Sequence, residues 1–195
     1  MEGYILFVAA AMIFGQSLKV TISIALLFIG TGIITPWNDL QALAHKEKAA
    51  IQSHVRVVTS STLDLEYKEM AVRTAQKHAI DPELFKALIK QESAWNKHII
   101  SPKGATGLTQ LMPTTAKEHC GLEPVDLVDA EKNIDCGASY FAAQLKRFGS
   151  VELALAAYNS GPERVAKLGR VPRIKETQRY VERIIGDWKA SKTGV

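Results

Sequence analysis

The stretch from Pro82 to Pro113, PELFKALIKQESAWNKHIISPKGATGLTQLMP, holds the residue around which the rest of the chain is organised, Glu92. Asp81 supplies an N-cap, Pro82 fits the first helical position, and Glu83 sits at the positive end of the helix dipole, so a helix is predicted from Pro82. Phe85, Leu88, Ile89 and Glu92 then share one face at i, i+3, i+4, i+7, with an acid where the pattern calls for a hydrophobe. Lys86, Lys90 and Gln91 take the wetter side. A carboxyl on the core-facing stripe loses hydration, which favours its neutral form and predicts a raised pKa, as a general acid requires. Spacing alone also admits a plainer reading, in which Glu92 snorkels at the end of the stripe or pairs with a buried arginine.

After Glu92 the chain turns polar and rich in Ser, Pro and Gly between Asn96 and Thr106, which predicts a loop. Ser101, Thr109 and Gln110 offer hydroxyl and amide groups suited to hydrogen-bonding a sugar, and Gly104 and Gly107 allow close backbone approach. Tyr158 and Asn159 form a second polar-aromatic pair, at a predicted helix end. One acid with amides and aromatics points to carbohydrate chemistry. There is no GxSxG elbow, no glycine-rich phosphate loop and no HExxH. Glycoside hydrolysis ordinarily uses two carboxylates. Asp126, Asp129, Glu131, Asp135, Glu163 and Glu176 are candidates for the second, yet none lies in a polar loop like the one after Glu92. A single acid suffices where the sugar's own groups complete the reaction.

The chain has 195 residues, 47% of them apolar and 23% charged, enough for one domain with a core and an appendage. The net charge is +4, and the basic excess falls late, in Arg164, Lys167, Arg170, Arg173, Lys175, Arg179 and Arg183. That balance suits an anionic partner or a solvated helix face; no nucleic-acid motif accompanies it. Cys120 and Cys136 are compatible with one disulfide or with two buried thiols, and without neighbouring histidines they make a poor metal site.

Tyr4 to Ile34 is apolar apart from Gly15, Gln16, Ser17 and Lys19. Residues 1–44 are therefore expected to be an export signal or a membrane anchor, with Ala42-Leu43-Ala44 as a cleavage pattern before His45. Met12 would serve as an alternative start giving an ordinary positive leader. Residues 45–62 are expected to form a polar tether, 63–190 the catalytic domain and 191–195 a tail. Within the domain, helices are predicted over Leu65–Ala79, from Pro82, from Pro113 to Glu118, over Glu131–Phe148 as the longest, after Ser150, from Pro162, and over Lys175–Lys189.

ESAWN at 92–96, SPKGATGLTQLMPTTA at 101–116 and AAYNSGP at 156–162 strongly resemble the soluble lytic transglycosylase domain, with further likeness in NIDCGASY at 133–140 and ETQRYVERI at 176–184. The resemblance spans about Leu65 to Trp188. It implies an all-α, lysozyme-like fold shared with goose-type lysozyme, no cofactor and no metal. It also implies cleavage of the bond between N-acetylmuramic acid and N-acetylglucosamine without water, leaving 1,6-anhydromuramyl ends. In that reading Glu92 is the sole acid/base and Ser93 braces the turn after it. Ser101, Gln110 and Met112 line sugar subsites, while Tyr158, Asn159 and Tyr180 surround the acid and the N-acetyl group. Thr109 departs from the family's GLMQ, which predicts an altered contact with sugar or peptide stem.

The partner implied is peptidoglycan, and the place the periplasm or the outer face of the cytoplasmic membrane, for a monomer. The domain's small size resembles transglycosylases that serve conjugation, secretion or pilus machines. A goose-type muramidase and a glycan-binding scaffold are the alternatives.

Overall fold

The computed structural model describes residues 37–193, all-helical apart from loops and isolated bridges. Residues 1–44, expected to be an export signal or anchor, lie mostly outside them, and among the described residues no helix is long and apolar enough to cross a membrane. The helices are α1 (Trp37–Lys77), α2 (Pro82–Ser93), α3 (Pro113–Cys120), α4 (Ala130–Phe148), α5 (Val151–Ser160), α6 (Pro162–Leu168) and α7 (Lys175–Thr193), with a 3-10 turn at Pro124–Val128 between α3 and α4. The chain divides into two compact units, 1–57 and 58–195.

α1 differs most from expectation. It is helical from Trp37, through the stretch read as a polar tether, so that α1 and not the helix ending at Phe148 is the longest. Few strong helix breakers interrupt residues 38–77: no proline or glycine occurs there, and Lys, Glu, Gln and Ala propagate helix well without a core to bury against. Its last turns reach the hydrophobic core, through Tyr67, Ala71 and Ala75.

The other boundaries follow local chemistry. Asp81 caps α2, its carboxylate accepting from the backbone N–H of Glu83 and Leu84. Asp129 and Ser150 cap α4 and α5 in the same way. α3 runs two residues beyond Glu118, to Cys120, and ends on Gly121 in the left-handed conformation.

The core is built from the buried faces of α2, α4, α5 and α7. Phe85, Leu88 and Ile89 of the predicted stripe are fully buried, together with Phe141, Leu155 and Ile184. Each such side chain stabilises by roughly 1.5–3 kcal/mol. α5 lies against α4, α6 and α7, and α7 also runs along α2. The pairs Tyr180–Glu92, Asp187–Lys90 and Lys192–Asp81 show that α2 and α7 are antiparallel.

A smaller cluster of Leu111, Ala116, Leu127 and Cys136 holds α3 and the 3-10 turn against α4. A disulfide closes this cluster, Cys120 to Cys136, with Cα atoms 5.9 Å apart. The loop it closes is of the length for which loop entropy gives about 3 kcal/mol. Cys120→Ala/Cys136→Ala should therefore lower unfolding free energy by about 3 kcal/mol in denaturant titrations under non-reducing conditions, and reductant should then have no further effect.

Candidate active site

The end of α2 is where the local sequence and the fold disagree most. Ala94 and Trp95 both have positive φ, 48° and 68°, a conformation that residues with a Cβ adopt at some energetic penalty. Burial of the Trp95 ring, 9% exposed in the main core, offsets it. The chain is thus thrown sharply off α2 just after Glu92, leaving that helix end open to the cleft.

Glu92 is partly shielded, and its Oε1 accepts a 2.6 Å hydrogen bond from the Tyr180 hydroxyl. No cation among the described residues is paired with it, so the buried-arginine alternative does not hold. Loss of hydration pushes its pKa from the ordinary 4.5 up to about 7, opposed only by the Tyr180 bond. The Tyr180 and Tyr158 hydroxyls are raised well above their ordinary value, first by burial and then by the Glu92 charge, so both remain donors at neutral pH.

A cleft of about 430 Å³ opens beside the acid, lined by Gln91, Glu92, Asn159, Glu176, Arg179, Tyr180 and Arg183. Asn159 is oriented by the buried Thr177, whose hydroxyl donates to its Oδ1 at 2.9 Å and leaves the amide N–H groups for a ligand. Tyr158 sits behind this wall. Its ring meets Tyr140 and Phe141, and its hydroxyl donates to the Thr109 carbonyl at 2.9 Å.

The other expected binding residues are placed differently. Ser93 is 4% exposed and donates to the Ile89 carbonyl, so it braces the helix end and has no surface for a sugar. Ser101 accepts from the Ala105 N–H and closes its own loop. Gln110, itself at φ 47°, ties the loop together by donating to the carbonyls of Ile99 and Gly107. Met112 is 38% exposed and precedes α3. None of these lines the cleft that holds Glu92.

Thr109 corrects an expectation. Its side chain is fully buried and faces α4: the hydroxyl lies 2.8 Å from Asn133 Oδ1, and a Cβ at Gly137 would come within 2.5 Å of it. The departure from the family motif therefore changes packing against α4 and not a contact with sugar or peptide. Asn133, 1% exposed, is the centre of this knot. Its Nδ2 donates to the carbonyls of Thr106 and Leu127, and its Oδ1 accepts from the Thr109 N–H. Gly107 is required beside it, since a Cβ there would lie 2.3 Å from Asn133 Nδ2.

Of the acids considered for a second carboxylate, Asp126, Asp135 and Glu163 are paired with Lys132, Lys77 and Arg147, and Asp129 caps α4. Glu176 alone among them shares the cleft with Glu92. Its place was legible: Glu176, Arg179, Tyr180 and Arg183 fall at i, i+3, i+4, i+7, so assigning Tyr180 to the site brings its neighbours with it. Asn133 and Thr177 carried no comparable signal, because a buried polar residue is recognisable only once its partners are known.

The all-helical domain, with one acid beside a polar cleft, matches the lysozyme-like fold of the solved lytic transglycosylases. The chain is a member of the transglycosylase SLT domain family, which it matches over residues 69–181. It is 33% identical over 142 residues to the soluble lytic murein transglycosylase of Escherichia coli K12, a match covering 62% of this chain and 22% of that protein. It is 36% identical over 97 residues to the transglycosylase of Enterobacteria phage PRD1, covering 50% and 36% of the two chains.

The crystal structure of the 70-kDa soluble lytic transglycosylase of Escherichia coli superposes with a TM-score of 0.59 at 31% identity, over 66% of this chain and 24% of that one. An inactive glutamate-to-glutamine mutant of the lytic transglycosylase Slt from Pseudomonas aeruginosa gives 0.58 at 31%, over 65% and 24%. This chain thus spans about a fifth to a third of the length of the relatives it matches.

Two consequences follow from the burial of Glu92. Because its pKa in the folded state is raised, the folded chain holds a proton that the unfolded chain has lost, and stability should fall as pH rises from 4.5 to about 7 and then level off. Glu92→Gln removes this dependence. The variant should be the more stable by up to about 3 kcal/mol at about pH 8, with little difference near pH 4, in paired denaturant titrations. Tyr180→Phe removes the one bond that favours the carboxylate, so the Glu92 pKa should move above about 7 when its side-chain carboxyl carbon is followed by NMR.

Proposed function

We propose that the chain is a peptidoglycan lytic transglycosylase in which Glu92 is the acid/base. The observation that carries the reading is a carboxyl held near neutrality by burial, with a tyrosine donor and no paired cation, on the wall of a polar cleft. A glutamic acid with a pKa of about 7 is protonated often enough to donate to the glycosidic oxygen, and ionised often enough to recover a proton in the next step. The C6 hydroxyl of the muramyl residue is the nucleophile that the second step deprotonates, giving a 1,6-anhydro ring without water.

In the neutral form, the Tyr180 hydroxyl at Oε1 leaves the proton on the other oxygen. As the charge develops, the same hydroxyl stabilises the carboxylate. Asn159 lines the same cleft with its amide N–H groups free to donate to the N-acetyl group. The inactive glutamate-to-glutamine form of the Pseudomonas aeruginosa relative supports this assignment by analogy.

The envelope is the proposed location, consistent with the Cys120–Cys136 disulfide, which persists in an oxidising compartment. Service to a conjugation, secretion or pilus apparatus is part of the same proposal. It requires that a deletion strain lose that process and regain it with the wild-type chain but not with Glu92→Gln.

One observation favours a second reading. Glu176 places another carboxylate in the cleft, where it could activate water and make the enzyme a muramidase. Mass spectrometry of purified peptidoglycan digested by the chain separates the two: anhydromuropeptides are expected, whereas reducing ends abolished by Glu176→Gln would establish hydrolysis. Glu92→Gln should reduce release at least about a hundredfold, since an amide cannot transfer the proton. The rate should decline above about pH 7, as Glu92 ionises before it can donate.

A further inference from the structure

Two arginines in the cleft take no part in the reaction as derived. Arg179 and Arg183 stand one turn apart on α7, on the face that carries Glu176 and Tyr180, and both line the cleft with Glu92 and Asn159. Among the described residues neither guanidinium has an ion-pair partner. Glu176 and Glu182 lie three residues to either side of Arg179 without pairing with it, and Asp187, four residues beyond Arg183, is taken by Lys90 of α2.

Some exposed cations elsewhere, such as Lys77, Lys117, Lys132 and Arg147, hold a carboxylate, and what sets Arg179 and Arg183 apart is that they are unpaired and line the cleft. Nor is Glu92 the partner of the two arginines, since burial and Tyr180 alone set its pKa. With Glu176 as the one ordinary carboxylate on the wall, the cleft has a cationic surplus and two planar guanidinium donors that the protein leaves uncommitted. Arginine in that condition suits an incoming carboxylate.

We propose that Arg179 and Arg183 form a carboxylate subsite that selects muramyl residues by their acidic substituent, an inference that rests on the glycan-cleaving reading above. The carboxylate has two sources. One is the lactyl group of a muramyl residue whose peptide has been removed, and the other is the carboxylates of an intact stem peptide. Either would anchor the glycan beside Glu92 through groups that do not react, and so would raise affinity more than it changes the chemical step.

The test uses the full chain carrying Glu92→Gln, so that binding is measured without turnover. Three oligosaccharides of equal length serve as probes in calorimetric titrations: a chitooligosaccharide with no carboxylate, an amidase-stripped muramyl glycan with free lactyl carboxylates, and a stem-bearing glycan. Adding Arg179→Gln/Arg183→Gln should weaken binding of at least one acidic probe by about tenfold while the neutral one shifts by less than about twofold. The probe that responds identifies the source.

Arg179→Lys/Arg183→Lys should restore part of the loss, and the preference for acidic probes should shrink as salt screens these exposed charges. Arg170→Gln/Arg173→Gln removes the same charge outside the cleft and should leave the preference in place. Equal losses on all three probes, no loss on any, or an equal effect of the Arg170/Arg173 pair would overturn the subsite. Failure of the wild-type chain to cleave peptidoglycan would instead count against the proposed reaction, and the binding comparison would still read the subsite by itself.

Discussion

Everything distinctive about this domain depends on the placement of one carboxyl out of water. Phe85, Leu88 and Ile89 carry α2 into the core, and Glu92, on the same face at the end of the stripe, lines the cleft partly shielded from water. A charged carboxylate in that position is penalised, and the resulting rise in pKa is what gives the residue a proton to donate near neutral pH. Tyr180 limits the rise, because its 2.6 Å hydrogen bond favours the charged carboxylate.

The geometry around that carboxyl is held by two separate devices. α7 is laid antiparallel along α2 by the apolar contact of Val181 and Ile184 with the main core, and the ion pairs Lys90–Asp187 and Lys192–Asp81 add register. Those pairs are exposed, so each contributes well under about 1 kcal/mol and the apolar seam carries the association. On the other side, Asn133 satisfies the backbone of Thr106, Leu127 and Thr109 at once, and the Thr109 carbonyl in turn receives Tyr158. A fully satisfied buried amide of this kind fixes one loop conformation, because any alternative leaves several polar groups without partners. The second tyrosine near the acid is therefore positioned by a residue with no surface in the cleft.

Strain is concentrated where the cleft opens. Ala94, Trp95 and Gln110 adopt positive φ in the segments on either side of the loop that follows the acid. Two of the three are over-determined, Trp95 by burial and Gln110 by two side-chain hydrogen bonds. The disulfide pins α3 to α4 in the smaller core cluster.

The sequence alone determined most helix boundaries after residue 80 and singled out Glu92 as the acid on an apolar stripe. Caps at Asp81 and Ser150, stops at Gly121 and Gly149, and the stripe ending in Glu92 are local signals, readable from neighbours in the chain. Family motifs added Tyr180 and Asn159, which lie far from Glu92 in sequence and meet it only in the cleft. Tertiary structure decided how the remaining polar residues are used. Ser101, Gln110 and Thr109 suit a sugar in the sequence, but a hydroxyl or amide is equally able to bind a ligand or the chain's own backbone. Their orientation depends on contacts tens of residues away, such as Thr109 with Asn133. The helical spacing of Glu176, Arg179 and Arg183 puts them on one face with Tyr180, and the long-range packing of α7 along α2 brings that face to the acid.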